Sequence, residues 1–303
     1  MNKSQKNDML CKWHDDDMLY KRHEGVMQYK RHEGVMQYKR YERVMLILKT
    51  KFIGRKSMNI KLQFEEQLAR DYNASLEEVQ SNQNVLTRKQ KLNGARNVGS
   101  TDTMLQIGVY KEKLLITAKD EVYDWCKMNL LPKSNVEWIC EPEVIYKLNQ
   151  MLDKQGQFIA DGHHYYLPIE NTPLTSNFDY EVKWYEGDEI IQFEDDERFD
   201  EALLFSEGIE NVLAVCAVEQ GKILGMAGCT NDGPQLWQIG VNVTEEGYGK
   251  GIGTYVTWLL KNRVLEMGKI PYYGTVESHI KSQKVAIQAG FMPVFYEMFS
   301  DEI

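Results

Sequence analysis

Residues 237–254 read WQIGVNVTEEGYGKGIGT. An apolar strand pattern runs as far as Val243, and Gly249-Lys250-Gly251-Ile252-Gly253 then opens an amphipathic helix. Three glycines at every second position let the backbone come close to a ligand, because no Cβ blocks the approach. The helix that follows offers unpaired N–H groups and the positive end of its dipole, which suits a pyrophosphate. A dinucleotide fingerprint needs G-x-G-x-x-G early in a βαβ unit, whereas this is G-x-G-x-G after an antiparallel meander. A P-loop needs Ser or Thr after its Lys, and Gly251 follows Lys250. The remaining alternative is a plain glycine loop, which the order of the surrounding elements argues against.

Outward from this turn, Tyr180 to Tyr185 is expected as a strand and Arg198 to Ser206 as a helix. Val212 to Val218 and Lys222 to Cys229 form a hairpin turning at Gln220-Gly221, with Leu236 to Val243 as the third strand. A helix runs from about Gly251 to Met267, then a strand from Pro271 to Val276. A helix from Ser278 to Ala289 and a strand from Met292 to Phe299 complete the order.

Upstream, Met58 to about Asn177 reads as a smaller α/β domain. Its expected elements are a helix from Phe64 to Val85 and a Gly/Ser/Asn loop from Asn93 to Thr103. A hairpin from Gly108 to Ala118 turns at Lys111-Glu112-Lys113. Helices start at Asp120 and Pro142, and a strand spans Gly156 to Pro168. The polar stretch Glu170 to Asp179 (ENTPLTSNFD) is expected to be the linker, dividing the chain into 58–177 and 178–303.

Residues 1–57 differ from the rest. Tyr20 to Gln28 (YKRHEGVMQ) recurs unchanged from Tyr29 to Gln37, and a decayed copy starts at Tyr38. Nine residues advance an α-helix by about 900°, so successive Val-Met pairs fall on opposite sides and build no stripe. We expect a non-native upstream extension, disordered or arising from tandem duplication, with the natural start at Met58. A basic arm for membrane or nucleic acid is the alternative. The segment holds 14 Lys and Arg against 7 Asp and Glu, a net +7, and the other 246 residues carry −16. So acidic a body disfavours nucleic acid, whose phosphates need clustered Lys and Arg, and it attracts cations.

The five cysteines are scattered without C-x-x-C spacing, which argues against a zinc site or a disulfide framework. Small buried side chains in a reducing cytoplasm are expected instead. No apolar run approaches the roughly 18 residues that span a bilayer, so no membrane partner is expected. His163 and His164 are adjacent on a strand and face opposite ways, so they do not form a metal pair.

A β-meander feeding a pyrophosphate turn and then βαβ resembles the GNAT acyltransferase superfamily, in its bacterial members with an extra N-terminal domain. The resemblance covers Tyr180 to the C-terminus. It is carried by Gly225-Met226-Ala227-Gly228-Cys229, Trp237-Gln238-Ile239-Gly240, Gly268, Ile270-Pro271-Tyr272-Tyr273, Ser282-Gln283 and Gly290-Phe291. It implies an α/β fold of the α+β kind, with a mixed, mostly antiparallel sheet and an acetyl-CoA site. Tyr248, Gly249, Lys250, Gly251, Ile252, Gly253 and Thr254 would hold the diphosphate, and Val241 and Val243 the pantetheine arm. His279 and Ser282 stand at two positions of the second family helix. Tyr248 replaces the usual Arg or Gln, His279 the usual Asn, and Ala286 the usual Tyr acid.

The implied reaction is direct transfer from the thioester to a small-molecule amine in a ternary complex. It needs a neutral amine, oxyanion stabilisation and a proton for sulfur, with no Cys nucleophile. Glu297, lone among apolar neighbours on the last strand, is the candidate base, with a structural hydrogen-bonding carboxylate as its alternative, and Tyr273 the candidate proton donor, with core packing as its alternative. A non-catalytic acyl-CoA-binding protein is the rival, motivated by the three departures. The upstream domain would cover the acceptor cleft or support a homodimer.

Overall fold

The computed structural model describes residues 59–303, apart from 97–99, 101, 207, 209 and 303. The repeat segment 1–57 and the expected start at Met58 lie outside the described residues. In chain order come α1 (Ile60–Asp71), α2 (Leu76–Gln80), β1 (Val85–Arg88), β2 (Leu105–Tyr110), β3 (Lys113–Ala118), α3 (Asp120–Asn129), α4 (Pro142–Leu152) and β4 (Gln157–Pro168). There follow β5 (Glu181–Glu186), β6 (Asn211–Glu219), β7 (Lys222–Thr230), β8 (Leu236–Val243), α5 (Ile252–Glu266), β9 (Ile270–Val276), α6 (Ile280–Gln288) and β10 (Phe291–Glu302). No helix among the described residues is long and apolar enough to cross a membrane.

The ten strands share one sheet in the order β1-β3-β2-β10-β4-β9-β8-β7-β6-β5. Only β1 with β3 and β8 with β9 are parallel, so the sheet is mixed and mostly antiparallel. Strands from both sides of the linker interleave: β4 lies between β9 and β10, and β10 lies between β2 and β4. A boundary within Glu170 to Asp179 therefore passes through one sheet, and residues 59–303 form one compact unit.

Two hairpins form where the sequence places them, because their turn residues take the left-handed conformation that two-residue hairpins require. Lys111 and Glu112 have φ of 51° and 59°, and Gln220 and Gly221 have 52° and 79°. On one face of the sheet, α5 and α6 bury Ile252, Val256, Leu260, Val264 and Ala286 against β6 to β9. Further along that face, α3 and α4 bury Val122, Cys126, Leu148 and Leu152 against β2 and β3. The opposite face carries α1, whose Phe64 packs edge-on to Phe295 at 5.9 Å. Each such aromatic pair adds about 0.5–1.5 kcal/mol beyond its buried area.

Two expected helices differ from their predicted extent. The span from Phe64 to Val85 breaks because Asn73 turns left-handed (φ 47°) and Ser75 starts a new helix. Ser75 and Glu78 close a capping box there, and the chain then enters β1. Arg198 to Ser206 contains only a 3-10 turn at Glu197–Phe199, since the side chain of Asn242 on β8 holds the backbone of Glu201 and Ala202. Cys11 lies outside the described residues; of the other cysteines, Cys126, Cys216 and Cys229 are buried, whereas Cys140 is exposed, contrary to the expectation for it. Burial pushes the Cys126 and Cys229 thiols up to about 12, so both stay protonated and inert at neutral pH.

Lys261 on α5 is fully buried, with Nζ 3.4 Å from both the Ile169 and Gly290 carbonyl oxygens. Burial pushes this ammonium down to about 8, below its ordinary 10.5. Between those values the unfolded chain binds more protons, so this residue makes stability rise with pH across that window. Lys89 and Lys113 are pushed down to about 8 in the same way. Melting midpoints of wild type and Lys261→Met at pH 7 and pH 9.5 should show a smaller rise in the variant. An equal rise would mean that Lys261 is charged as freely in the fold as outside it.

Candidate active site

The parallel pair β8 and β9 builds the site by coming apart. Pairing runs from Leu236 with Ile270 to Ile239 with Tyr273 and stops there. Past that point β8 stays paired only with β7, up to Val243 with Gly225. β9 stays paired only with β4, up to Val276 with His163. A wedge opens between the carboxyl ends of two neighbouring strands, the general position for ligands in sheets with parallel strands.

One lip of the wedge has free backbone groups. Thr244 donates its N–H to Leu224 O at 3.0 Å, toward β7. Strand groups alternate direction with period two, so Asn242 and Gly240 also turn to β7. Val241 and Val243 therefore present N–H and C=O to the wedge, where an extended amide-bearing arm would pair.

Above the wedge, β8 leads through a 3-10 turn to the glycines. Gly249 and Gly251 both have φ of 74°, a conformation that side chains rarely adopt. Gly251 caps α5 without a side chain of its own. Among the described residues the N–H groups of Gly251, Ile252, Gly253 and Thr254 meet no acceptor. These are the donors that a helix start leaves free. A Cβ on Gly253 would lie 3.2 Å from Val243 Cγ2 and 3.3 Å from Val285 Cγ2, so this end of α5 sits between β8 and α6. Thr254 donates to Gln288 Oε1 on α6 at 3.1 Å.

The lysine and tyrosine of the turn point away from this arrangement. Lys250 pairs with Glu219 at 3.2 Å, and Tyr248 is 67% exposed. Gly251 faces Phe178, whose ring stacks on Tyr255 at 4.6 Å. Gly251 meets Phe178 whereas Gly253 meets Val243 and Val285, so the two look to different flanks. A cleft of about 490 Å³ lines the Phe178 flank, between Ser176, Asn177, Glu219 and Lys250. Gly249 and Gly251 of the glycine turn line it as well.

At the closed end of the wedge, Tyr273 lies 2% exposed beneath α6, its hydroxyl 2.8 Å from Ser282 Oγ. Burial pushes the Tyr273 phenol up to about 12, the Ser282 hydrogen bond pulls it down, and the charge of Glu201 adds to the rise. Ala286, fully buried, belongs to the same apolar cluster as this ring. His279 caps α6 through its backbone, with no side-chain capping bond.

Glu297 is elsewhere. It lies on the opposite face of β10, two strands beyond β9, and is 1% exposed. Its Oε1 accepts from Tyr72 Oη at 2.7 Å, Gln106 Nε2 at 2.9 Å and Arg96 at 3.1 Å. Arg96 also donates through Nε to Asp71 at 2.6 Å. Burial works against the Arg96 charge, but Asp71 and Glu297 outweigh it and hold the guanidinium protonated. Glu297 is thus the charged partner of a buried arginine, and the wedge does not include it. The structure brings Val241, Val243, Gly251, Ile252, Gly253, Thr254, Ser282 and Tyr273 together, with His279 at the start of α6.

Two features escaped the sequence reading. Gly228 and Gly240 stand directly opposite one another on β7 and β8. A Cβ on Gly240 would lie 1.7 Å from Glu201 O, and one on Gly228 2.2 Å from Ala202 O, so backbone rests on backbone here. Asn242 clamps the same segment. Its Oδ1 accepts from Glu201 N at 3.0 Å and Ala202 N at 2.6 Å, and its Nδ2 donates to Asp200 Oδ1 at 2.9 Å. Gly240→Ala should therefore cost at least about 1–3 kcal/mol as an overpacked contact. A denaturant melt showing no loss would mean that the segment is not pressed on the sheet.

No three His, Cys, Asp or Glu side chains among the described residues are arranged to hold a metal ion. Neither a protein-family model nor a curated protein matches the chain. Solved structures do. An acetyltransferase of the GNAT family from Colwellia psychrerythraea is 15% identical, over 50% of this chain and 61% of its own, with a TM-score of 0.35. A GCN5-related N-acetyltransferase from Kribbella flavida is 14% identical, over 51% and 63%, with a TM-score of 0.39. A GCN5-related N-acetyltransferase-like protein from Streptococcus suis is 12% identical, over 78% and 97%, with a TM-score of 0.41. The chain is similar to GNAT acetyltransferases. It spans less than two thirds of the Colwellia and Kribbella proteins, and all three likenesses are distant. The chain's own geometry has to carry its functional assignment.

Proposed function

We propose that this protein is a GNAT-type N-acyltransferase that takes its acyl group from acetyl-CoA and passes it to a small amine. One observation carries the reading. The parting of β8 from β9 coincides with the unpaired N-terminus of α5, so an anion cradle and a slot for an extended arm lie end to end. The four free amides and the helix dipole suit a diphosphate. Val241 and Val243 present the strand edge that an amide-bearing arm needs, and an N–H there would polarise a thioester carbonyl.

Tyr273 is placed to supply the proton for the leaving sulfur. It holds its proton at neutral pH, sits at the closed end of the slot and reaches Ser282. Its position answers the absence of a tyrosine at Ala286 and favours an enzyme over a binding protein. Tyr273→Phe should lower kcat by about 100-fold, the low end for general acid catalysis, with acetyl-CoA affinity little changed. Unchanged kcat would remove the role.

The direct test is a thermal shift with acetyl-CoA and then thiol release over a panel of amines. Stabilisation with release supports the enzyme. Stabilisation without release under every amine favours a binding protein, for which the exposed Tyr248 and the missing side-chain cap at His279 speak. No stabilisation removes the acyl-CoA reading altogether.

A further inference from the structure

The root of the wedge has a second face. Tyr273, the last residue of β9 to pair with β8, points to Ser282 on α6. Tyr272 before it points the other way, its ring centroid 5.7 Å from that of Tyr165 and 5.8 Å from the Arg96 guanidinium. Gln238 stands directly opposite Tyr272 on β8, one rung below the last pair. Its amide reaches up to the first β9 residue past the split, because a Cβ on Gly274 would lie 3.7 Å from Gln238 Nε2. That Nε2 has no acceptor among the described residues. An unused donor therefore stands where the strands part, across the sheet from Tyr273.

The other end of this amide is held. Tyr272 Oη lies 2.9 Å from Gln238 Oε1 and is also hydrogen-bonded to Asp232 Oδ2, while Thr230 donates to Asp232 Oδ1 at 2.6 Å. A phenol has one proton, and an amide oxygen or an ionised carboxylate can only accept. Two oxygens on one phenol are both satisfied only if Asp232 brings a proton of its own. Asp232 then donates to Tyr272, Tyr272 donates to Gln238 Oε1, and Nε2 is left for the wedge. Once Asp232 ionises, the phenol proton turns to the carboxylate. The amide then gains a bond by rotating half a turn to give Tyr272 an N–H, which leaves Oε1 facing the wedge. Burial pushes the Asp232 carboxyl up and favours its proton; the hydrogen bonds of Thr230 and Tyr272 and the charge of Arg96 pull it down, and the charge of Asp71 adds to the rise. Tyr165 and Cys229, also near Asp232, both keep their protons at neutral pH.

We infer that Gln238 Nε2 donates a hydrogen bond to the carbonyl oxygen of the bound thioester, and that Tyr272 and Asp232 are positioning residues that turn the amide toward it. This rests on the proposed acyl-CoA site and adds to it a donor under the control of a proton. A thioester oxygen has two lone pairs, so it takes this bond together with one from the edge of β8. It cannot donate, so the rotated amide sets oxygen against oxygen. Negative charge gathers on that oxygen during acyl transfer, where a fixed donor counts most.

Calorimetry tests this through the ratio of the CoA and acetyl-CoA dissociation constants, because only acetyl-CoA carries the carbonyl. The phosphates titrate alike in both ligands and cancel in the ratio. The proteins are wild type, Asp232→Asn and Gln238→Met, each at pH 5, 6.5 and 8. In wild type the preference for acetyl-CoA should fall as pH rises, since Asp232 loses its proton and the amide turns over. Asp232→Asn, whose amide always has an N–H for Tyr272, should hold the pH 5 preference throughout. Gln238→Met should lower the preference at pH 5 by about 2- to 10-fold, the worth of one hydrogen bond, and should show no dependence on pH. Equal preference in wild type and Gln238→Met at pH 5 would overturn the inference. A wild-type preference that stays flat over this range, or one that falls as steeply in Asp232→Asn, would overturn it as well. Failure of CoA and acetyl-CoA alike to bind wild type is a different result, because it removes the site on which this inference rests.

Discussion

Arg96→Ala will lower the melting midpoint by roughly 10 °C, the largest stability loss expected from a single change on the α1 face. The side chains of Arg96, Asp71 and Glu297 are 3%, 1% and 1% exposed. Removing the guanidinium leaves two buried carboxylates facing one another without a counter-charge. Breaking such a pair from one side costs about 3–5 kcal/mol, because the remaining charges stay buried. A chain of this size loses about 2–4 °C per kcal/mol. Glu297→Gln should cost less, since the amide oxygen still accepts from Tyr72 and Gln106. The pair of variants also bears on chemistry. A stable Glu297→Gln protein with kcat reduced 100-fold or more would return Glu297 to a role as base.

Thr254→Glu will separate stability from binding, with opposite signs. Position 254 is the third residue of α5, where a carboxylate meets the positive end of the helix dipole. There it should stabilise the free protein by about 0.3–1 kcal/mol, less the bond from Thr254 to Gln288. The same carboxylate occupies the amides and the field that a diphosphate needs. Acetyl-CoA affinity should fall about 10- to 100-fold, as expected for a loss of roughly 1.4–2.8 kcal/mol. Calorimetry with acetyl-CoA and a thermal melt without it read the two effects separately. Unchanged affinity would place the diphosphate elsewhere. Lost affinity with an equally large loss of stability would show only that the helix start had been damaged.

Much of the fold was legible because local signals and tertiary packing agree. Pro142 and Asp120 each open a helix at the expected residue, and both hairpins turn at their expected positions. The glycine turn and the meander before it emerge from period-two patterning and the spacing of Gly249, Gly251 and Gly253. The insertion of β4 between β9 and β10 was not legible, since strand pairing at more than a hundred residues' separation leaves no local trace. The environment of Glu297 was hidden for the same reason. Its partners lie at Tyr72, Arg96 and Gln106, and Arg96 sits in a stretch whose Gly, Ser and Asn content read as a solvent loop. A carboxylate alone among apolar neighbours reads equally as a base or as a structural hydrogen-bond acceptor, and in the fold three donors meet it. Asn242 was missed because a polar residue on a strand is ordinarily assigned to solvent. The clue available was the polar side chain two residues beyond Gly240, on the same face as a glycine that leaves room for backbone.

A crystal structure of the protein soaked with acetyl-CoA tests the central claim most directly. The diphosphate should sit on the amides of residues 251–254, with the pantetheine arm paired to Val241 and Val243 and the thioester near Tyr273. A ligand seated instead in the cleft beside Phe178, or no ligand with the wedge unobstructed, would contradict the account.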